Sequence, residues 1–578
     1  MTIPKKAVDR RSVDRIRMQI MWNRLISVVE EQAQTLIRTA FGAATREAGD
    51  LSAGVFLPDG RMVAQAVTGT PGHVNSMAES VRHFIVAFPA PTMAPGDVYL
   101  TNDPWKGTGH LNDFTLVTPV FRGRSIVAFF AATVHVVDIG GLGFGPDGQQ
   151  IYHEGLYLPL LKLVDRGTLQ KSVLDIIKIN VREPVQVEGD VFALIACNEI
   201  GSRRLLAMMD EYRLSGIEAL GEYVISQSRK AMLAAVAKWP AGTYENAMRV
   251  DGYDHPIDIV AKLVISRKGI DIDFTGTSPV VARGINVPKS YTDAYTSFGV
   301  RCIIGADVPN NAGSLEVVRV SAPTDCILNA QPPLAVASRA IIGQMLPDVV
   351  FGCLRQAKPD QVPAEGASSL WNIRLAGGQP VAGAPAEEFM KAKRFTVVAF
   401  TTGGTGARPK KDGLSTTSFP SGVKNVAVEI IETLSPLVYW RKEYTTDSGG
   451  AGAQRGGLGQ TIEITNGDDA PMVLAATFDR IDHPARGALG AGAGGPGRVQ
   501  LKSGKVLAGK GRQLIPKGDC VVIETPGGGG YGDPRQRPRE AVVADVRAGL
   551  VSPRAACEVY GLDAADLPVA EPDRSMKG

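Results

Sequence analysis

Two apolar, β-branched runs, residues 114–121 and 126–134, flank the turn at Arg122-Gly123-Arg124, and no other feature constrains this chain as tightly. Runs of this length on either side of a glycine turn predict two buried, neighbouring antiparallel strands. The start of the first strand then lies beside the end of the second. His110 and Asp113 stand before the first run in Gly-His-Leu-Asn-Asp, and His135 and Asp138 follow the second in Val-His-Val-Val-Asp. Antiparallel pairing therefore carries His110 and Asp113 toward His135. An HxxD pair lets one short segment aim two ligands at one point, and imidazole nitrogen with carboxylate oxygen suits zinc, manganese or iron. Two such pairs in a chain with 7 histidines, five of them between His73 and His153, point to a metal site.

The chain has 578 residues, too many for one core, and should divide into roughly three or four domains. Its formal charge of +3 implies no nucleic-acid surface and no basic membrane patch. No apolar run is long enough to span a bilayer. The first residues lack the apolar core and small-residue cleavage site of a signal peptide. The 6 cysteines are far apart with no CxxC, which speaks against a zinc ribbon or thioredoxin motif and fits a reduced, cytoplasmic protein.

The apolar spacing of Ile16, Ile20, Leu25, Val28, Val29, Leu36 and Ile37 predicts a long amphipathic helix ending near Gly42. Gly54–Leu57 and Arg61–Ala64 read as strands around an Asp-Gly turn, with Asp50 at the entrance of the first. Residues 97–101 form a short strand running into Asn102-Asp103-Pro104-Trp105, a turn. Residues 184–239 are helical in pattern, and beyond Pro240 strands return at 259–265, 270–274 and 317–320. The 65 glycines cluster in the second half, interleaved with Val, Ile and Leu, and read as tight turns between short strands. The expected fold is α+β and multidomain: a metal-bearing mixed α/β region with a long N-terminal helix (1–240), a central α/β region (241–400), a glycine-rich, mostly β region (401–535) and a helical tail (536–578).

None of the glycine runs matches GxxxxGK[ST], so a direct ATP site is not expected on this chain. There is no GxSxG elbow and no cysteine in an activating motif. Any chemistry then rests on the metal, which lowers the pKa of a bound water or polarises a carbonyl. Asp138, Glu154 and Asp103 are candidates for orienting the histidines from behind. His73, in Pro-Gly-His-Val-Asn-Ser-Met, is a candidate acid–base or substrate-contacting group. His83, His153, His255 and His483 read as structural.

Several motifs together resemble the hydantoinase B/oxoprolinase family. They are Arg46-Glu47-Ala48-Gly49-Asp50-Leu51-Ser52, Thr101-Asn102-Asp103-Pro104-Trp105 with His110 and Asp113, Asp138-Ile139-Gly140-Gly141 and Glu154-Gly155-Leu156. Asp447 to Gly452, Arg455 to Gly459 and Pro526 to Pro534 extend the resemblance over nearly the whole chain. The resemblance implies a B-type subunit of ATP-dependent hydantoinases, oxoprolinases and lactamases, related to acetone and acetophenone carboxylases. It implies a companion A-type subunit with an actin-like ATPase fold, which binds ATP and phosphorylates a cyclic amide or ketone, in a hetero-oligomer such as (AB)2. Carried over by position, it implies one divalent transition metal (Zn, Mn or Fe) held by Asp50, His110, Asp113 and His135, with His73 and Asp138 as the catalytic candidates. Many members read His-His-Ala-Asp where this chain has His135-Val136-Val137-Asp138, a departure that leans toward the carboxylase-like branch.

Overall fold

The structure is a computed structural model describing residues 10–67, 69–378 and 392–568. A helix, Arg10–Thr39, opens the chain and buries Leu25, Val29 and Leu36. Seven strands follow: β1 (Leu51–Phe56), β2 (Met62–Gln65), β3 (Val98–Thr101), β4 (Asp113–Arg122), β5 (Ser125–His135), β6 (Leu161–Asp165) and β7 (Thr168–Leu169). They form one sheet in the order β2-β1-β5-β4-β3-β6-β7. The opening helix and a second, Pro184–Glu211, pack on strands of this sheet, as does the helix Pro71–Ala87. Their residues divide between separate cores, Leu36 and Val191 with Leu116 and Ala132, and Met77 and Val81 with Val117 and Ala131. Because successive side chains of β4 and β5 are buried on both faces, the strands read as continuous apolar runs rather than alternating ones.

The β4–β5 pairing is antiparallel with Asp113 opposite His135. On the other side of β5, β1 pairs antiparallel with Leu51 opposite Val134, and the His135 amide reaches the Asp50 carbonyl at 3.4 Å. Adjacency of three strands thus brings Asp50, His135 and Asp113 to one end of the sheet.

A four-stranded sheet follows the helix Glu218–Val236: β8 (Gly242–Val250), β9 (Ile257–Ser266), β10 (Gly269–Asp273) and β11 (Val318–Ser321), in the order β11-β10-β9-β8. β9 alternates buried and half-buried residues, and its inner face packs under the helices Lys289–Ile303 and Leu346–Ala357. Two further four-stranded sheets complete the molecule. One joins β12 (Trp371–Gly377) and β13 (Phe395–Thr401) to β16 (Met472–Thr477) and β18 (Lys510–Ile515); the other joins β14 (Leu437–Tyr444), β15 (Gln460–Asn466), β17 (Arg498–Leu501) and β19 (Cys520–Glu524). Strand pairing therefore crosses position 400. Trp371 stacks on Phe478 at 4.3 Å in the core they share. Two short helices, Arg539–Arg547 and Pro553–Glu558, form the tail.

The glycine runs depart from the expectation of tight turns. Residues 403–407, 448–459, 491–495 and 526–532 lie outside the strands and pack backbone against backbone, while Leu489-Gly490 does form a tight turn. Gly450 N–H donates to the Gly528 carbonyl at 2.8 Å, Gly528 N–H to Gly457 at 2.9 Å, and Gly457 N–H to Thr405 at 2.9 Å. A Cβ on Gly527 would overlap the Ser448 carbonyl, and one on Gly456 would overlap that of Gly528. Glycine is needed here because neighbouring chains leave no room for a side chain, which is a packing demand rather than a turn demand.

Candidate metal centre

Three ligand atoms converge where β4 and β5 meet. His110 Nε2 lies 2.7 Å from Asp113 Oδ1; His135 Nδ1 lies 3.3 Å from His110 Nε2 and 3.2 Å from Asp113 Oδ1. Ligands bound at about 2.0–2.2 Å around a tetrahedral ion stand roughly 3.3–3.6 Å apart. The two longer separations are close to that spacing, and the shortest brings two ligand atoms together that an ion between them would hold apart. His110, Asp113 and His135 form a buried trio suited to a metal among the described residues. His73 joins them: its Nε2 is 3.0 Å from Asp113 Oδ2 and its Nδ1 is 3.4 Å from Asp50 Oδ1. Asp50 stands one histidine away from the trio.

The surroundings set the chemical state of His110 and Asp113. His110 Nδ1 lies 2.8 Å from the Ala337 carbonyl, so the proton sits there and Nε2 keeps its lone pair for the ion. Burial, with Arg339 adding to it, pushes the His110 imidazole down to about 3, which keeps it neutral, as a ligand must be. Burial would raise the Asp113 carboxyl, but the His110 and His73 rings and the Arg339 guanidinium together hold it well below the usual carboxylate range. Burial likewise opposes charge on His73; the carboxylates of Asp113 and Asp50 outweigh it and raise the imidazole above its ordinary value. Arg339 donates to Asp113 Oδ2 at 2.7 Å and to the Thr108 carbonyl at 2.9 Å, and its guanidinium lies 4.1 Å over the Tyr291 ring. With Oδ2 occupied, Oδ1 is left to face the histidines.

Glu154 acts one layer further out. One of its carboxylate oxygens accepts from the backbone amides of Val336 and Ala337 at 2.6 and 2.7 Å, pinning the segment whose carbonyl orients His110. Burial pushes this carboxyl up to about 8 despite those two bonds. Asn102 fixes the other side, donating to the Leu111 and Leu156 carbonyls at 2.8 Å.

Phe144 packs edge-on against both His110 and His135, with centroids 5.7 and 5.2 Å away. It sits at the end of a loop whose Gly141 and Gly143 take φ of 54° and 72°, a left-handed conformation that favours glycine. Arg374 of β12 anchors this loop by donating to the Phe144 carbonyl at 2.6 Å. A small cavity opens beside the trio. Asp50, Thr70, His110 and His135 line one side, Tyr291 and Tyr295 another, and Asn372 and Phe400 a third. Residues far apart in sequence thus share its wall, and none of those after residue 200 was signalled by a motif.

The remaining expected site residues fall elsewhere. Asp138 is buried but bound to Gly140 and to the backbone and guanidinium of Arg182, the latter at 2.6 Å, so its carboxylate ties a loop and does not join the trio. Asp103 accepts from the Trp105 amide at 2.9 Å and pairs with Lys106, holding its own turn. His483, read as structural, pairs with Asp251 at 3.0 Å. Arg339 was missed, because nothing in its sequence neighbourhood marks it.

A mixed α/β scaffold that closes around a buried two-histidine, one-carboxylate trio able to hold a metal ion defines a class of proteins. Within that class the chain belongs to the hydantoinase B/oxoprolinase family, whose sequence model matches residues 14–534. It is 27% identical to a Pseudomonas protein assigned as the B component of a D-/L-hydantoinase, over 96% of each chain. Its fold resembles the ATP-dependent caprolactamase of Pseudomonas jessenii with a TM-score of 0.86 and 26% identity, over 97% of this chain and 98% of that one. It also shares a fold with a chain of acetone carboxylase, at TM-score 0.82 and 19% identity, over 96% of this chain and 80% of that one. Among the described residues no helix is long and apolar enough to cross a membrane.

Proposed function

We propose that this chain is the metal-bearing subunit of an ATP-dependent cyclic-amide hydrolase and acts on a lactam or hydantoin phosphorylated by an A-type companion. The observation that carries this reading is the buried trio beside a cavity, with His110 and Asp113 held in ligand form by a second layer of contacts. A divalent zinc, manganese or iron ion held by His110, Asp113 and His135 would supply an activated water and a Lewis acid for the oxygen on the reacting carbon. Asp50 faces the cavity and is the remaining candidate ligand. His73, between the two carboxylates, keeps them aimed and holds a proton that can be passed at its Nδ1. Arg339 keeps Asp113 ionised. Phe144 and Phe400 exclude bulk water, which strengthens every charge interaction inside. Asp138 acts through the loop it braces.

Elemental analysis with an activity assay tests the reading. Wild-type chain should carry one transition metal, and together with its companion should release phosphate from ATP in proportion to cyclic amide consumed. His110→Ala/His135→Ala should lose both while still unfolding cooperatively. Cooperative folding that depends on the ion would instead mark a structural metal in a non-catalytic scaffold. ATP consumption that requires bicarbonate and a ketone would select the carboxylase chemistry.

A further inference from the structure

Two oxygens on the cavity wall have nothing to bond. Thr70 Oγ1 and Asn372 Oδ1 are both buried without a hydrogen-bond partner, in residues only 3% and 4% exposed. Both residues line the cavity beside His110 and His135. Thr70 is the N-cap of the helix Pro71–Ala87, yet its hydroxyl makes no capping bond. A threonine at that position ordinarily turns its oxygen onto the first-turn amides. Asn372 is the second residue of β12. Its predecessor Trp371 points into the core against Phe478, and the strand's alternation puts Asn372 and Arg374 on the opposite face. Across the ladder Asn372 stands opposite Phe400, another wall residue. An enclosed polar oxygen without a partner is costly, and a fold that keeps two of them on one small cavity keeps them for something that binds there.

We propose that the Asn372 carboxamide and the Thr70 hydroxyl form the edge that recognises the amide of a cyclic substrate. This rests on the hydrolase reading and names how that site selects its substrate. A carboxamide offers an acceptor and a donor side by side. It accepts from the ring nitrogen while that atom bears hydrogen and donates to it once the hydrogen has left. Thr70 can likewise donate or accept toward the polar atom nearest the helix start. Leu370, Val423 and Phe400 give the cavity an apolar stretch of wall beside Asn372, against which the carbons of a compact ring can lie. A ketone has no nitrogen and would leave Asn372 unpaired, so this edge discriminates amide from ketone.

The test uses the full chain assembled with its A-type companion, comparing wild type with Asn372→Leu and Thr70→Val. Substrates are hydantoin and five- to seven-membered lactams, with acetone plus bicarbonate as the contrasting pair. Both variants should keep their metal and cooperative unfolding. Each should lose roughly 10- to 100-fold in kcat/KM on the best cyclic amide, mostly through KM. If Asn372→Leu fails to fold, the nearly isosteric Thr70→Val decides. Folded, metal-loaded variants within twofold of wild type on the same amide overturn the recognition edge and leave the hydrolase reading standing. A wild-type complex that consumes ATP only with ketone and bicarbonate overturns both.

Discussion

The candidate metal centre and the glycine bundle are built on opposite principles. At the metal centre, β4 and β5 are long, side-chain-rich strands, and everything that matters is carried by atoms beyond Cβ. In the bundle, segments around Thr405, Ser448, Gly457 and Gly528 meet through their backbones alone, and side chains are excluded. The contrast teaches where each region is vulnerable. Truncating a side chain at the centre should remove function and spare the fold; adding one methyl in the bundle should damage the fold and spare the chemistry.

The sharpest break in that comparison is His110→Ala/His135→Ala. Turnover should fall to background and the ion should be lost. The unfolding midpoint of the metal-free variant should stay within a few degrees of metal-free wild type, because His135 is the last residue of β5 and His110 lies in the loop before β4. A collapse of folding would show that the centre, like the bundle, is structural.

Next in size is Gly527→Ala. Its added Cβ meets the Ser448 carbonyl, so backbone must move, at a cost of about 3 kcal/mol or more. Gly518→Ala is the matched control. Gly518 has a φ of 75° and open space where a Cβ would stand, so only the backbone conformation is strained, for about 1 kcal/mol. Denaturant titration of the two, with metal content measured alongside, should show unequal stability losses and equal metal. Equal losses would mean that the glycine runs are turns after all.

That pair also explains how far the sequence could be read. The β4–β5 hairpin and the placement of His110, Asp113 and His135 were legible because apolar period, turn and motif all agreed. The glycine runs were visible as composition, but glycine serves both left-handed turns and close backbone contact, and the sequence does not say which neighbour approaches. Arg339, Asn372 and Tyr291 were invisible for a different reason. They reach the centre only through packing between distant regions, and no local pattern surrounds them. His73 carried a motif-level hint, and the fold supplied its partners, Asp113 and Asp50. Asp138 carried an equally strong hint from its HxxD spacing, yet Arg182 claims its carboxylate.

A smaller effect is expected from Arg339→Met. It keeps the length of the side chain but removes the charge from Asp113 Oδ2. Metal affinity should drop by roughly 10- to 100-fold, measured by competition with a chelator, with the fold intact. An unchanged affinity would place Arg339 with the purely structural contacts.

The smallest effect concerns Glu154, which sharpens the comparison by testing a group that serves the centre only through backbone. Burial raises its carboxyl from 4.5 to about 8 in the folded chain. The folded state therefore binds this proton more tightly than the unfolded state. Stability from that binding is complete below about pH 4.5 and is lost progressively as pH rises toward 8. Glu154→Gln has no proton to lose but keeps an oxygen for the Val336 and Ala337 amides. Wild type should therefore lose stability relative to the variant between pH 5 and 8, read from denaturant titrations of the metal-free proteins. A stability difference that stays flat across that window would mean that the two amides already hold Glu154 ionised at low pH. The segment orienting His110 would then be pinned by a charge rather than by a neutral acid.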